Sequence, residues 1–115
     1  MSLKTSKREV GSDVVVVDLS GRIVLGDGND VLRETVAELV RAGRRRILLN
    51  LADVSYIDSS GLGALVSGYT TVTGQQGQVK LLSLTKKVHD LLQITKLLTV
   101  FEVFDDEAAA IKSFK

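Results

Sequence analysis

The sequence predicts a small α/β domain with a mixed, mostly parallel sheet of about five strands, an antiparallel edge hairpin and about four flanking helices. Short apolar runs alternate with stretches whose apolar residues recur at steps of three and four, in the order ββαβαβαβα. Gly11-Ser12 alone joins the first two predicted strands, which suits a type II′ hairpin turn and makes these strands antiparallel. No linker or repeat interrupts the pattern, so residues 1–115 are assigned to a single domain.

The predicted strands differ in how they are buried. Residues 14–17 form an unbroken apolar run, which indicates that the second strand is covered on both faces. Residues 19–21 are predicted to form a turn after that strand. In chain order, the predicted strands cover residues 4–10, 13–19, 44–51, 79–84 and 99–104.

The helices are predicted from amphipathic stretches and their end signals. The first follows a turn-rich loop at residues 26–29 and ends at Gly43, where a left-handed C-terminal cap is needed. The second opens at residues 58–63, the third begins behind Thr85 as a candidate N-cap, and the last covers residues 105–115. The last helix has acidic residues in its first turn and Lys112 and Lys115 in its last, which complements its dipole. The defining apolar positions are Val31, Leu32, Val36, Leu39 and Val40, then Leu62, Leu65, Val66, Tyr69 and Val72, then Val88, Leu91 and Leu92.

The junction between the third strand and the second helix is the candidate functional site. The first backbone N–H groups of a helix lack internal partners, and the helix dipole adds a partial positive charge, so an anion is favoured there. Asp58, Ser59 and Ser60 are all suitable N-cap residues. Gly61 and Gly63 leave the first turn bare, so that another molecule can approach the backbone. A capped helix whose glycines only permit tight packing is the alternative, and the spacing alone leaves both interpretations open.

Residues 58–63, Asp-Ser-Ser-Gly-Leu-Gly, resemble the signature of the STAS family, specifically that of the bacterial anti-sigma factor antagonists. The similarity covers nearly the whole chain. It includes Leu19-Ser20-Gly21, Leu48, Asn50, Leu51 and Ile57, Gly77 ahead of residues 79–82, Val88, Leu91 and Leu92, and Phe101 and Phe104. The resemblance implies a STAS-like fold and phosphorylation by a partner kinase of Ser59, the serine directly after the aspartate.

The resemblance also implies a switch in protein binding. The unphosphorylated protein would bind an anti-sigma factor that is also a serine kinase, which releases a sigma factor, and a serine phosphatase would reverse the phosphorylation of Ser59. Partner contacts are expected at Asp58, Ser60, Gly61, Leu62 and Gly63. Ser60 is the rival phosphoacceptor, although capping the helix is its preferred role. The protein is expected to be no enzyme and to be a monomer when free.

Composition argues against several other classes of function. The net charge of +1 and the aromatic content of 4% give no basis for direct nucleic-acid binding. The chain has no cysteine and only one histidine, so neither a metal site nor a disulfide is expected. No cofactor is expected either, because Val31 stands where a dinucleotide-binding loop at residues 26–31 would need its third small residue. No secretory signal or membrane-spanning run of ~20 apolar residues is found, so the expected location is the cytoplasm, without membrane insertion.

Two alternative functions are kept. A STAS domain can serve as a structural or regulatory subunit of a signalling assembly or of a membrane lipid transporter. A serine hydrolase would instead use Ser59 as its nucleophile and would need His89 as the base, yet His89 is predicted on the solvated face of the third helix. The basic run of Arg41, Arg44, Arg45 and Arg46 is either simply solvated or a contact for an acidic partner.

Overall fold

The computed structural model describes residues 3–11 and 13–114, which contain a single five-stranded sheet. The strands are β1 (Leu3–Val10), β2 (Val14–Ile23), β3 (Arg46–Ile57), β4 (Gln78–Leu82) and β5 (Val103–Phe104). The helices are α1 (Asp27–Arg41), α2 (Ser59–Gly74), α3 (Lys86–Ile94) and α4 (Glu107–Ser113), and Leu97–Thr99 forms a 3₁₀ turn.

The strands pair in their chain order, β1-β2-β3-β4-β5. The β1 strand is antiparallel to β2 and every other pair is parallel, which confirms the predicted mixed sheet with an antiparallel edge hairpin and flanking helices. Pairing in the hairpin ends with Val10 opposite Val14, so three residues connect the strands rather than the predicted two. The predicted turn type depends on Ser12, which lies outside the described residues.

The second strand does not stop at residues 19–21, where a turn was expected. It continues to Ile23, with shifts in its register against β3 between Asp18 and Ser20 and between Gly21 and Arg22. Gly21 has a φ of 116°, which a residue with a side chain rarely adopts. The expected turn is therefore wrong, because turns and β-bulges use the same small and polar residues and this segment is a bulged strand.

The third strand is also longer than the predicted residues 44–51, since it extends to Ile57. Only its first part, from Arg46 to Asn50, pairs with β4. Its second part pairs with β2 alone and projects past β4 towards the candidate site. The candidate turn is thus carried on the end of a buried strand.

The helix boundaries follow several of the predicted signals. Gly43, with a φ of 85°, comes directly after the C-cap Ala42 of α1, and Thr85 caps α3 by accepting a hydrogen bond from the Val88 N–H at 3.3 Å. The loop predicted at residues 26–29 is wrong in part, because α1 already begins at Asp27. The loop between β2 and α1 is residues 24–26, and within it Gly26 has a φ of 98°.

The C-terminal elements are shorter than expected. The last strand is limited to Val103–Phe104, because the 3₁₀ turn at Leu97–Thr99 occupies the residues where it was predicted to start. The final helix begins at Glu107 behind the N-cap Asp106, and Lys112 lies in its last turn as predicted. Lys115 lies outside the described residues.

Two apolar clusters fill the two faces of the sheet. In β2, Val15 and Val17 belong to the larger cluster, beneath α1, α2 and α3, whereas Val14 and Val16 belong to the smaller one, which α4 covers through Ala110. All four valines are buried, which confirms that this strand is covered on both faces.

Strands β2 and β3 end at the same edge of the sheet, with Ile23 opposite Ile57. Helices α1 and α2 start within a few residues of those two positions. The first turns of two helices are therefore close together at the carboxyl edge of the parallel strands, where α/β proteins commonly place their binding sites. In the part of the chain that the structure describes, no helix has the length and apolarity to cross a membrane.

Candidate functional site

Asp58 organises the turn between β3 and α2. Its backbone is extended, and its Oδ1 accepts a hydrogen bond from the Gly61 N–H at 2.7 Å, which makes it the N-cap of α2. Its Oδ2 accepts a second bond from the Leu25 N–H at 3.1 Å, so one carboxylate joins the helix start to the loop between β2 and α1. These bonds, that of Gly61 first and that of Leu25 next, lower the pKa of Asp58 and keep it ionised. The preferred cap, Ser60, was therefore wrong, because Asp58 already takes that role.

Ser59 is the first residue of α2 and is exposed. Within the described residues, its hydroxyl has no hydrogen-bond partner. The side chain thus stands in solvent at the positive end of a helix of 16 residues. The Ser59 hydroxyl is therefore accessible from solvent.

Ser60 has the same hydroxyl in a different environment. It is half-buried, and the Asn29 side chain donates a hydrogen bond from Nδ2 to the Ser60 Oγ at 2.6 Å. Asn29 is only 7% exposed and is itself fixed by a bond from its N–H to the Val24 carbonyl at 3.0 Å. Ser60 therefore links the first turns of α1 and α2.

Asn29 is the site residue that the sequence did not reveal. It lies in a glycine-rich stretch that has the composition of a turn, and its partner is 31 residues away along the chain. Its Oδ1 is buried and has no partner among the described residues.

The two glycines of the turn have different roles. A side chain at Gly61 would overlap the Ile23 carbonyl oxygen and lie 2.8 Å from the Ile57 Cγ2. Gly61 is buried, so its missing side chain serves contact with β2, and a partner contact at Gly61 stays a prediction. Gly63 is exposed, and a Cβ there would meet only the Arg33 Nη2, at 3.9 Å. Only Gly63 offers a bare surface to another molecule.

Apolar side chains lie around the turn. Leu62 belongs to the core and is only 8% exposed, so most of its side chain is packed inside the fold. Leu25, whose N–H binds Asp58, is 77% exposed, and Tyr56, two residues before Asp58, is 45% exposed. Tyr56 also borders a cavity of about 260 Å³ that Leu91 and Ile94 of α3 line from the other side. Exposed apolar side chains therefore lie on both chain segments that Asp58 joins.

The remaining candidates lie outside this turn. His89 is exposed on α3, and its Nδ1 is 3.5 Å from the Asp90 Oδ1, so it faces solvent as predicted and is no base for Ser59. In the basic run, Arg41 pairs with Glu34 and Arg44 with Glu9, at the opposite end of β3 from Ser59. Among the described residues, no group of three or more histidine, cysteine or acidic side chains could hold a metal ion.

Comparison with known proteins assigns this fold and turn to a family. The STAS domain profile matches residues 6–110, and the chain therefore belongs to the STAS domain family. It is 31% identical over 103 residues to the anti-sigma-B factor antagonist of Bacillus subtilis, which covers 90% of this chain and 92% of that protein.

Solved structures agree with the fold. An anti-sigma factor antagonist from Mycobacterium paratuberculosis matches with a TM-score of 0.82 and 18% identity over 98% of this chain and 94% of that one. The Bacillus cell fate determinant SpoIIAA in its phosphorylated form matches with a TM-score of 0.74 and 21% identity over 95% of this chain and 97% of that one. A curated relative that matches nine tenths of the chain is thus an anti-sigma factor antagonist, and the non-enzymatic regulator that the sequence predicts agrees with this relative.

Proposed function

We propose that the protein is an anti-sigma factor antagonist that phosphorylation of Ser59 switches off. In its unphosphorylated form it binds an anti-sigma factor that is also a serine kinase, and a sigma factor is released. A serine phosphatase returns the phosphorylated protein to its binding form. The observation that carries this proposal is the exposed, unbonded hydroxyl of Ser59 at the first residue of a helix that Asp58 caps.

The environments of the two serines support the choice of Ser59 over Ser60. A kinase must bring the acceptor oxygen into line with a phosphate of the nucleotide, so the hydroxyl must be accessible on its outer side. Ser59 meets this condition without rearrangement. Ser60 would first have to break its bond with the buried Asn29 and leave a second polar group there without a partner.

The surface proposed for the partner is the outer side of the turn. Its members are Ser59, the bare backbone at Gly63 and the exposed side chain of Leu25. Asp58 and Ser60 shape this surface through their hydrogen bonds. Gly61 and Leu62 contribute from inside the fold, since both are buried.

Phosphorylation would oppose binding through charge and bulk. A phosphate adds about two negative charges at neutral pH, beside the ionised Asp58. At a contact surface, those charges must lose water and face any acidic group of the partner. The fold itself tolerates them, because a helix N-terminus favours an anion. We place this switch in the cytoplasm, in a protein that is a monomer when free.

The first test locates the phosphate. Incubation of the purified protein with its cognate kinase and ATP is expected to add a single phosphate, which peptide mapping by mass spectrometry finds on Ser59. Ser60→Ala is the matched control and keeps the modification, whereas Ser59→Ala loses it. A phosphate on Ser60 in the natural sequence would contradict the assignment of Ser59 and leave the switch intact.

Calorimetry against the unphosphorylated partner tests the switch itself. Ser59→Asp is expected to lower affinity by at least ~10-fold, because it places an unpaired charge in the contact surface. Its melting temperature stays nearly unchanged, because an acid suits the first turn of a helix. Ser59→Ala binds as the natural sequence does. Equal affinities for all three proteins would contradict the switch and favour a structural STAS subunit.

A further inference from the structure

Arg33 places an unused positive charge beside the phosphoacceptor turn. It lies on α1 and is exposed, and its Nη2 is 3.9 Å from the point that a Cβ at Gly63 would occupy. Within the described residues, the Arg33 guanidinium has no hydrogen bond and no ion pair. No hydrogen bond or ion pair within the described residues therefore explains why Arg33 lies beside the exposed backbone of Gly63 on α2.

The exposed backbone at Gly63 lies on the same face of α2 as Ser59. Residues four apart on a helix lie on the same face with their Cβ atoms about 5–6 Å apart, and Ser59 and Gly63 are such a pair. Each Cα–Cβ bond also tilts towards the helix N-terminus, so the space above Gly63 lies on the side of Ser59. The Arg33 guanidinium is then within roughly 10 Å of the Ser59 Cβ, and a flexible side chain can close that gap. A larger residue at position 63 would stand in between.

A phosphate on Ser59 would need a positive neighbour. It would bring about two negative charges next to Asp58, which is already ionised, whereas the helix end supplies only about half a positive charge. The guanidinium of an arginine matches a phosphate with two parallel hydrogen bonds. Arg33 is the cation that lies against Gly63, about one helical turn from Ser59.

A second donor lies in the same turn. Because the Ser60 Oγ accepts its hydrogen bond from Asn29, the proton of the Ser60 hydroxyl remains available for another acceptor. The residue that would carry the phosphate is its immediate neighbour. The turn thus offers a charged donor on one side and a fixed neutral donor on the other.

We propose that Arg33 binds the phosphate of phosphorylated Ser59 across the bare surface of Gly63, with the Ser60 hydroxyl as a second donor. This inference rests on the proposed phosphorylation of Ser59 and adds the residues that bind the phosphate. The phosphorylated form is held as one defined conformation, in which the phosphate lies against the protein. Arg33 is then hidden from a partner when Ser59 is phosphorylated and free when it is not.

The test installs phosphoserine at position 59 by genetic code expansion, so that no kinase is needed and failure of the kinase reaction does not affect the result. Titration by phosphorus NMR then gives the second pKa of the phosphate, ordinarily near 6. A nearby cation favours the doubly charged form, so Arg33→Gln is expected to raise this pKa by about 0.5 units. Arg33→Lys should recover part of the shift, because the charge remains and the paired hydrogen bonds do not.

Arg41→Gln is the control, since Arg41 lies on the same helix, is also exposed and pairs with Glu34. It should leave the titration unchanged, and 0.5 M salt should reduce the effect of Arg33→Gln. Gly63→Leu gives an independent measure, because it blocks the approach of Arg33 without removing its charge, and it should raise the pKa as Arg33→Gln does. Identical titrations in the natural sequence and in Arg33→Gln would overturn the inference, as would equal shifts from Arg33→Gln and Arg41→Gln.

Discussion

Helices α2 and α4 begin with the same chemistry and differ in their next residue. Asp58 caps α2 through the Gly61 N–H at 2.7 Å, and Asp106 caps α4 through the Ala109 N–H at 2.8 Å. The first helical residue is then Ser59 in α2 and Glu107 in α4. One start presents a neutral hydroxyl where the other presents a permanent negative charge.

The surroundings of that first residue show how this fold treats a negative charge. Arg8 of β1 donates two hydrogen bonds to Glu107, at 3.1 and 2.8 Å, and its bonds to Asp18 and Glu107 raise the pKa of its guanidinium. At α2 the corresponding arginine is Arg33, which has no partner in the described part of the chain. The start of α4 thus has the arrangement of acid and arginine that we propose α2 acquires when Ser59 is phosphorylated.

The largest expected effect on stability comes from a substitution at the third helical residue, which is Gly61 in α2 and Ala109 in α4. Ala109 is exposed in α4, whereas Gly61 is packed against the Ile23 carbonyl in α2. Gly61→Ala should reduce the free energy of unfolding by about 3 kcal/mol, because the backbone of β2 cannot give way easily. Chemical denaturation followed by circular dichroism measures this loss.

Gly63→Ala is the matched control in the same turn. The nearest atom to its new Cβ is 3.9 Å away, so alanine fits and adds helix propensity of up to about 1 kcal/mol. Its free energy of unfolding should stay equal or rise. A similar loss in both variants would show that Gly61 is not confined by β2.

Removal of the N-cap side chain of α2 or of α4 is expected to have a smaller effect on stability, and it compares the two helix starts directly. Asp58 accepts hydrogen bonds from α2 and from Leu25 in another segment, whereas the Asp106 side chain accepts its bond from Ala109 in its own helix. Asp58→Ala should lower the melting temperature by about 5 °C, and Asp106→Ala by about half as much. Thermal melts of both variants test this, and a larger loss at Asp106 would mean that the bond to Leu25 adds nothing.

The sequence identified the elements whose signals are local. Gly43 and Thr85 end and start their helices through bonds within a few residues, and both were predicted correctly. The second half of β3 was missed because its buried residues, Leu51, Val54 and Ile57, are spaced by three. That spacing is neither the alternation of a half-exposed strand nor an unbroken apolar run.

The candidate turn was located from its sequence, but its internal roles were not. Three adjacent residues are all good caps, and the second bond that Asp58 accepts comes from an N–H that lies 33 residues away. The environment of Ser60 likewise depends on Asn29, from another helix. Contacts of this kind leave no periodic or spacing signal, so only the assembled fold separates the two serines.

The smallest expected effect concerns the charge of Asp58 in acid. Its pKa lies below the ordinary 3.8, so the folded state binds a proton at this group less readily than the unfolded state does. The resulting stability is complete above the unfolded value and is lost as the pH falls through the folded value. Asp58→Asn cannot lose a charge, so the difference in stability between the natural sequence and this variant should shrink below about pH 4. Denaturation curves between pH 2.5 and 6 measure that difference, and a constant difference across the range would mean that the bonds from Gly61 and Leu25 do not depend on the charge of the carboxylate.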